Sequence, residues 1–177
     1  MNTVKIALIA TFCALSIGTD YALVGVPNVK LMDLIVFLGG FLFGSVVGSS
    51  IGIVSWLIYG SINPYGFEPR IWVATMLVES VYGITGGLLR KALGSTSLSS
   101  ERLRLSILFA TMGFLPTVLY DLITNIVYAS VYNSPIIVAI FLGAPFAVLH
   151  EGANFLIFGV CSVPTIVALR KLRKDDR

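Results

Sequence analysis

Two pairs of polar residues stand out in an otherwise apolar chain. Asp121 and Asn125 are four residues apart, and so are His150 and Asn154, so each pair would lie on one face of a helix. A carboxylate in hydrocarbon is costly, and it normally faces a bundle interior or a water-filled cavity with a partner or a ligand. We therefore predict that these side chains bind a ligand. The alternative for Asp121 is a purely structural acid that ties helices together.

The chemistry open to these residues is limited. Residues 150–154 (HEGAN) are similar to the zinc-binding H-E-x-x-H helix, but Asn154 replaces the second histidine. His150 is the only histidine, and Cys13 and Cys161 both lie inside apolar runs, so no usual zinc site can be assembled. No nucleophile is evident near His150, and no G-x-x-x-x-G-K-[ST] sequence occurs. We expect no catalytic residue, no metal and no cofactor.

The elements that position these residues belong to a membrane protein. Of 177 residues, 56% are hydrophobic and only 12% are charged, against about 25% charged in soluble domains. Short connections join the apolar runs, which predicts a single all-α integral membrane domain over residues 1–177. The net charge of +3 gives no argument for nucleic acid, because the basic residues lie at the ends of apolar runs.

The distribution of basic residues decides the number of spans. Residues 31–59 are too many for one upright helix and too few for two full helices of about 20 residues each. If this run crosses twice, with a break near residues 39–40 or 44, only Lys30 and Arg70 of the twelve basic residues lie outside. We therefore predict six transmembrane helices with cytoplasmic N- and C-termini. The approximate spans are 4–24, 31–43, 45–60, 71–89, 105–128 and 145–168.

These spans bring polar side chains from at least four helices into the outer half of the bundle. The set comprises Asp20, Asp33, Asp121, Asn125, His150, Glu151 and Asn154, with Glu79 deeper in the membrane. An outward-open cavity would suit a rigid, partly polar small molecule. Its expected aromatic walls are Tyr65, Trp72, Tyr82, Tyr120 and Tyr128. The alternative for His150 is a histidine that is only satisfied in the core.

Three further segments carry predictions of their own. The loop at residues 63–69 is rich in turn formers and aromatics, and it either helps to bind the ligand or only connects two helices. Residues 131–144 are predicted as an outer loop or lid, because a helix counted back from Arg170 has already spanned the membrane at His150. The four-residue repeat of Gly44, Gly48 and Gly52 predicts helix packing.

A stripe of small residues runs along the first span at three- and four-residue intervals, and it consists of Ala7, Ala10, Ala14 and Gly18. Small residues at this spacing let another helix approach closely in lipid. The stripe either contacts a partner subunit or packs inside this protein.

Taken together, these segments resemble the substrate-binding S components of energy-coupling factor (ECF) transporters, the prokaryotic importers of vitamins and related micronutrients. The pair Ala10-x-x-x-Ala14 looks like the alanine motif through which the first helix of these subunits docks on the coupling subunit. The other similar segments are Pro27-Asn28-Val29-Lys30-Leu31, Asn63-Pro64-Tyr65-Gly66, Tyr120-Asp121-x-x-Thr124-Asn125 and His150-x-x-x-Asn154. The resemblance covers nearly the whole chain.

The resemblance implies a multi-pass subunit of the prokaryotic plasma membrane that captures a small vitamin-like substrate. A transmembrane coupling subunit and two ATPases would supply the energy, which agrees with the missing ATP-binding sequence. Among the known substrates a cobalamin-type ligand is favoured. Nickel and cobalt are disfavoured, because the N-terminus has no histidine-rich segment. The alternative function is an intramembrane enzyme or a membrane scaffold of similar helical fold.

The expected site combines this resemblance with the residues above. The predicted substrate-binding residues are Asn28, Asp33, Asn63, Tyr65, Trp72, Glu79, Tyr82, Asp121, Asn125, Tyr128, His150 and Asn154. The predicted docking residues for the coupling subunit are Ala7, Ala10, Ala14 and Gly18.

Overall fold

The computed structural model describes residues 2–64, 66–94 and 101–175, and in this part of the chain it contains six helices and no strand. The helices are α1 (Thr3–Ala22), α2 (Met32–Phe43), α3 (Ser45–Ser61), α4 (Pro69–Leu93), α5 (Arg102–Val131) and α6 (Ile136–Asp175). By length and composition, α1, α4, α5 and residues 136–169 of α6 can each cross a membrane. Helices α2 and α3 are apolar but shorter.

Helix α2 lies at the centre of the fold. Its residues from Met32 to Phe41 are all buried, because α1, α3, α4 and α6 pack around it. A helix that is apolar on every side needs such a surrounding. Helix α5 packs on α4 and α6. The first turn of α2 therefore carries Asp33 into the interior, where α6 can reach it.

Glycines allow α2, α3 and α4 to approach each other closely. A methyl group on Gly48 would lie 2.5 Å from the Cα of Gly40 and 2.7 Å from the Cα of Gly83. Gly52 similarly faces the backbone of Glu79. The predicted packing role is wrong for Gly44, which has a φ of +100° and, among the described residues, no atom within 4 Å of an added methyl. Gly44 instead forms the break between α2 and α3.

The last helix begins earlier than the sequence predicted. Residues 136–144 are helical and continue into α6, so the predicted outer loop or lid is wrong. The segment is apolar, and Pro145 and Pro164 lie within the helix without ending it. The 40 residues of α6 correspond to about 60 Å of helix, which is longer than a bilayer core. Counting back from the basic end of α6 therefore could not locate its start.

Two acidic side chains fix the ends of helices near the site. The Asp20 Oδ1 atom, on α1, accepts a hydrogen bond of 3.3 Å from the backbone N–H of Met32, the first residue of α2. Glu68 accepts one of 2.9 Å from the N–H of Ile71 and caps α4, whose first residue is Pro69. Capping of this kind satisfies backbone donors that a helix leaves free at its start.

Candidate ligand-binding site

A chain of hydrogen bonds joins α2, α5 and α6 in the bundle interior. Both ring nitrogens of His150 face carboxylates, with Nδ1 at 3.0 Å from Asp121 Oδ1 and Nε2 at 2.8 Å from Asp33 Oδ2. One turn along α6, the Asn154 amide donates to Asp33 Oδ2 at 2.6 Å and to Thr117 Oγ1 at 2.7 Å. The two polar pairs that the sequence singled out therefore meet through Asp121 and His150, and Asp33 bonds both members of the second pair. Asn125 donates to the backbone carbonyl of Asp121 on its own helix.

Tyr82 extends this chain to α4. Its hydroxyl lies 2.7 Å from Thr117 Oγ1, and Thr117 donates its own proton to the Gly113 carbonyl at 2.7 Å. A hydroxyl has one donor and two acceptor positions, so Thr117 accepts from both Tyr82 and Asn154. Tyr82 and Asn154 have no exposed surface. The prediction that Tyr82 forms a cavity wall is wrong, because its ring is fully buried in the core and lines neither of the two cavities described next.

A cavity of about 460 Å³ lies beside this network, between α5, α6, α4 and the connection from α1 to α2. Asp121 and His150 belong to both the network and the cavity wall. The other polar and aromatic lining residues are Asn28, Lys30, Thr75, Tyr120, Thr124, Asn125, Tyr128 and Phe146. Small-molecule sites usually measure about 300–1,000 Å³ and combine an apolar wall with a few convergent polar groups. This first cavity has both properties.

The first cavity owes one wall to the early turns of α6. Leu142, Gly143 and Phe146 line it, and they belong to the region where the sequence predicted a loop passing into the last span. The Asn28 amide donates a hydrogen bond of 2.8 Å to the Phe146 carbonyl, which ties the α1–α2 connection to this wall. Asn28 has a φ of +55°, a conformation that asparagine tolerates better than most residues. Asn125 also faces this wall, where an added methyl on Gly143 would collide with its amide.

A second cavity, of about 390 Å³, adjoins the first and shares Thr75 and Tyr128 with it. Its walls include five aromatic residues, Trp56, Phe67, Trp72, Tyr128 and Tyr132. The indole N–H of Trp72 donates to the backbone carbonyl of Trp56 at 2.9 Å, which ties the Trp72 ring of α4 to α3. Asn63 lines this cavity too, whereas Tyr65 lies outside the described residues.

Glu79 lies behind the aromatic wall of the second cavity and is fully buried. Its Oε2 accepts a hydrogen bond of 3.1 Å from the indole N–H of Trp56. Trp56 also makes a cation–π contact with Lys30, whose Nζ lies 4.7 Å from the ring centroid. Glu79 lines neither of these two cavities, and the described side chain that it bonds is Trp56.

The predicted substrate residues thus fall into distinct positions. Five line the first cavity, namely Asn28, Asp121, Asn125, Tyr128 and His150. Asn63 and Trp72 line the second. Asp33, Tyr82, Asn154 and Glu79 lie behind the walls and line neither of the two cavities.

The site residues that the sequence reasoning missed include Lys30, Trp56, Thr75 and Thr117. Two of them carried a usable signal. Thr117 lies four residues before Asp121, and Thr75 lies four residues before Glu79, so helical spacing placed each on a face already singled out. Lys30 was counted as an outer basic residue and belongs to one of the similar segments, but it was not predicted to line the site. The structure instead puts it in the cavity wall, where it interacts electrostatically with the carboxylates of Asp20 and Asp33.

The small-residue stripe of α1 lies on the face of this helix that points away from the rest of the bundle. Its four residues, Ala7, Ala10, Ala14 and Gly18, are exposed, and a methyl on Gly18 would meet no described atom within 4 Å. The other face of α1 is buried against α2 and α3 through Ile9, Cys13, Ser16 and Asp20. The stripe is therefore not used for packing among the described residues.

Comparison with known proteins identifies a family. A family model described as "ECF-type riboflavin transporter, S component" matches residues 1–171. No curated protein and no solved structure gives a significant match. The match confirms the predicted resemblance to S components, and it gives no support to the cobalamin type or to an intramembrane enzyme. With its membrane-spanning helices, the chain belongs to the family of ECF-type riboflavin transporter S components.

Proposed function

We propose that this protein captures riboflavin, or a closely similar micronutrient, for an ECF-type importer in the plasma membrane of a prokaryote. The first cavity is the observation that carries the proposal. Tyr120 and Tyr128 offer aromatic surface to a planar ring, while Asp121 and Asn125 offer hydrogen bonds to a polar chain. The adjoining aromatic cavity extends the same recess. This combination suits a fused-ring molecule with a hydroxylated chain better than a much larger corrinoid.

Riboflavin titration of the detergent-purified protein tests the proposal, with flavin fluorescence or calorimetry as the readout. Native mass spectrometry can first reveal whether a small molecule is retained on purification. Asp121→Ala and Asn125→Ala should each weaken binding by about 1.5–3 kcal/mol, since each removes a buried or charged hydrogen-bonding group. Glu101→Ala is the matched control. That residue is an exposed carboxylate about 30 Å away along α5.

Two results would contradict this proposal in different ways. If riboflavin fails to bind while another vitamin binds, the substrate is wrong but the capture function stands. If both alanine variants bind riboflavin as tightly as the Glu101 control, the first cavity is not the site.

We further propose that all six helices cross the membrane and that both termini are cytoplasmic. The 12 residues of α2 and the 17 of α3 correspond to about 18 Å and 26 Å of helix, which is short for a bilayer core of about 30 Å. Their burial among longer helices supports this arrangement, because α2 needs little contact with lipid. Labelling of single cysteines placed in the connections, from either side of the membrane, would test the topology.

The exposed stripe of α1 is the proposed docking surface for the transmembrane coupling subunit, which would join the chain to two ATPases. A bulky side chain there should prevent the close helix packing that holds membrane proteins together. Ala10→Trp and Ala14→Trp should abolish uptake and co-purification of the coupling subunit, while riboflavin affinity stays unchanged. Leu115→Trp, on the exposed surface of α5, is the control for added bulk. Normal assembly of both alanine-site variants would rule out this surface.

A further inference from the structure

The position of Asp33 separates it from the residues that can touch a ligand. It is 1% exposed, lies in the first turn of α2 and lines none of the cavities described above. Its Oδ2 atom nevertheless receives two hydrogen bonds from α6, one from His150 and one from Asn154. Its direct hydrogen bonds therefore connect it to the cavity wall through His150, while Lys30 in the same wall senses its charge.

The geometry around His150 restricts the proton content of its ring. Both nitrogens lie within hydrogen-bond distance of a carboxylate oxygen, at 2.8 Å and 3.0 Å. A neutral imidazole has one N–H, so beside two ionised carboxylates it would turn a lone pair toward one of them. An imidazolium donates from both nitrogens and satisfies both acids. The carboxylates of Asp33 and Asp121 together therefore favour a ring that carries two protons.

The groups that face this ring come from every element packed around it. They are Asp33 of α2, Asp121 and Tyr120 of α5, and Glu151 on α6 itself, with Lys30 on the cavity wall and Glu79 and Tyr82 of α4 beyond Asp33. Of these, only Asp33 and Asp121 bond the ring nitrogens.

The far end of this arrangement is the carboxylate of Asp121, a residue that lines the first cavity. Asp121 uses Oδ1 to hold His150, while its Oδ2 is buried and has no hydrogen-bond partner among the described residues. A buried, unpaired oxygen calls for a donor. Because Asp121 lines the first cavity, a ligand N–H or O–H is the donor that the site can receive.

We propose that Asp33 is a positioning residue: it holds His150 as a doubly donating imidazolium, which fixes Asp121 so that its second oxygen accepts an N–H or O–H of the ligand. This inference rests on the proposed capture function for its ligand part only. The state of the ring is a property of the protein without ligand. The two parts can therefore be tested separately.

Nuclear magnetic resonance of the protein with isotope-labelled histidine reads the ring directly, because His150 is the only histidine in the chain. In the ligand-free wild-type protein, both ring nitrogens should be protonated, with no change between about pH 5 and 8, the range in which an ordinary histidine titrates. In Asp33→Asn, which keeps the side-chain shape, the ring should lose a proton within that range. Glu101→Gln, an exposed acid-to-amide change, should leave the spectrum unchanged.

Riboflavin is the probe for the second part. Asp33→Asn should weaken its binding about tenfold at the pH where the ring is neutral, corresponding to one charge-assisted hydrogen bond. A neutral ring in the wild-type protein would overturn the proposal, whether or not the variant folds. So would a variant that binds less well at every pH while its histidine spectrum stays wild type, because Asp33 would then act on the ligand without His150. Failure of the wild-type protein to bind riboflavin would instead count against the proposed substrate.

Discussion

A single added methyl group at Gly48 should measurably lower the stability of the protein. In Gly48→Ala, the new carbon would lie 2.5 Å from the Cα of Gly40 and 2.7 Å from the Cα of Gly83. Ordinary contact begins at 3.4 Å, so α3 must move away from α2 and α4 by about 1 Å. Both atoms belong to backbones, and no side-chain rotation can relieve the contact.

The cost of this movement can be estimated from two opposing effects. Overpacking of a well-packed core typically costs about 1–3 kcal/mol, and backbone contacts on two helices place this site at the upper end. Alanine gains about 1 kcal/mol over glycine in a helix interior. The net loss should therefore be about 2 kcal/mol, which corresponds to a fall in the midpoint of thermal unfolding of several degrees.

Thermal unfolding in detergent, followed by tryptophan fluorescence, measures this effect. Gly152→Ala is the matched control, because Gly152 is an exposed helical glycine at which a methyl meets no described atom within 4 Å. The control should be as stable as the wild-type protein or slightly more stable. If Gly48→Ala unfolds at the same temperature as this control, the close contact of α2, α3 and α4 does not exist as described.

Two further predictions concern the cavity walls. In a Trp72→Phe background, Trp56 is the only tryptophan. Glu79→Gln should then preserve the fluorescence of Trp56 because glutamine keeps an acceptor for the indole N–H, whereas Glu79→Leu should shift it. Equal spectra would show that this bond is unimportant. Asn28→Gly should weaken riboflavin binding, because the hydrogen bond to Phe146 is lost. Asn28→Ala should weaken binding by about 1 kcal/mol more, because alanine disfavours the φ of +55°. Variants with wild-type affinity would show that this contact does not shape the cavity.

The sequence predicted helical class and much of the site because both follow from local spacing. Apolar runs and the placement of basic residues indicate membrane helices, and four-residue spacing places Asp121 with Asn125 and His150 with Asn154. What spacing cannot reveal is which helix a face will meet. The contact of Asp33 with His150 joins residues 117 positions apart, and it decides that Asp33 supports the site without lining either of the described cavities.

The start of α6 shows a second limit of sequence reasoning. Residues 136–144 were assigned to a loop from the length of a span, yet an apolar segment without a strong break can remain helical when it packs on another helix. Here α6 packs on α5, and the close approach of Gly143 to Asn125 belongs to that contact. The length rule gives the minimum helix that spans a bilayer and does not set a maximum.

The first turn of α2 lies between the two surfaces on which the proposed function depends. On one side, Asp20 of α1 accepts a hydrogen bond from the Met32 N–H, and the opposite face of α1 carries the exposed small-residue stripe. On the other side, the next residue, Asp33, holds His150 and through it Asp121 in the cavity wall. Any communication between a ligand in the cavity and a partner on α1 therefore has a short route through two adjacent residues. Packed contacts of this kind transmit a change only if they have two arrangements. A comparison of the position of α1 with and without ligand would detect a second arrangement.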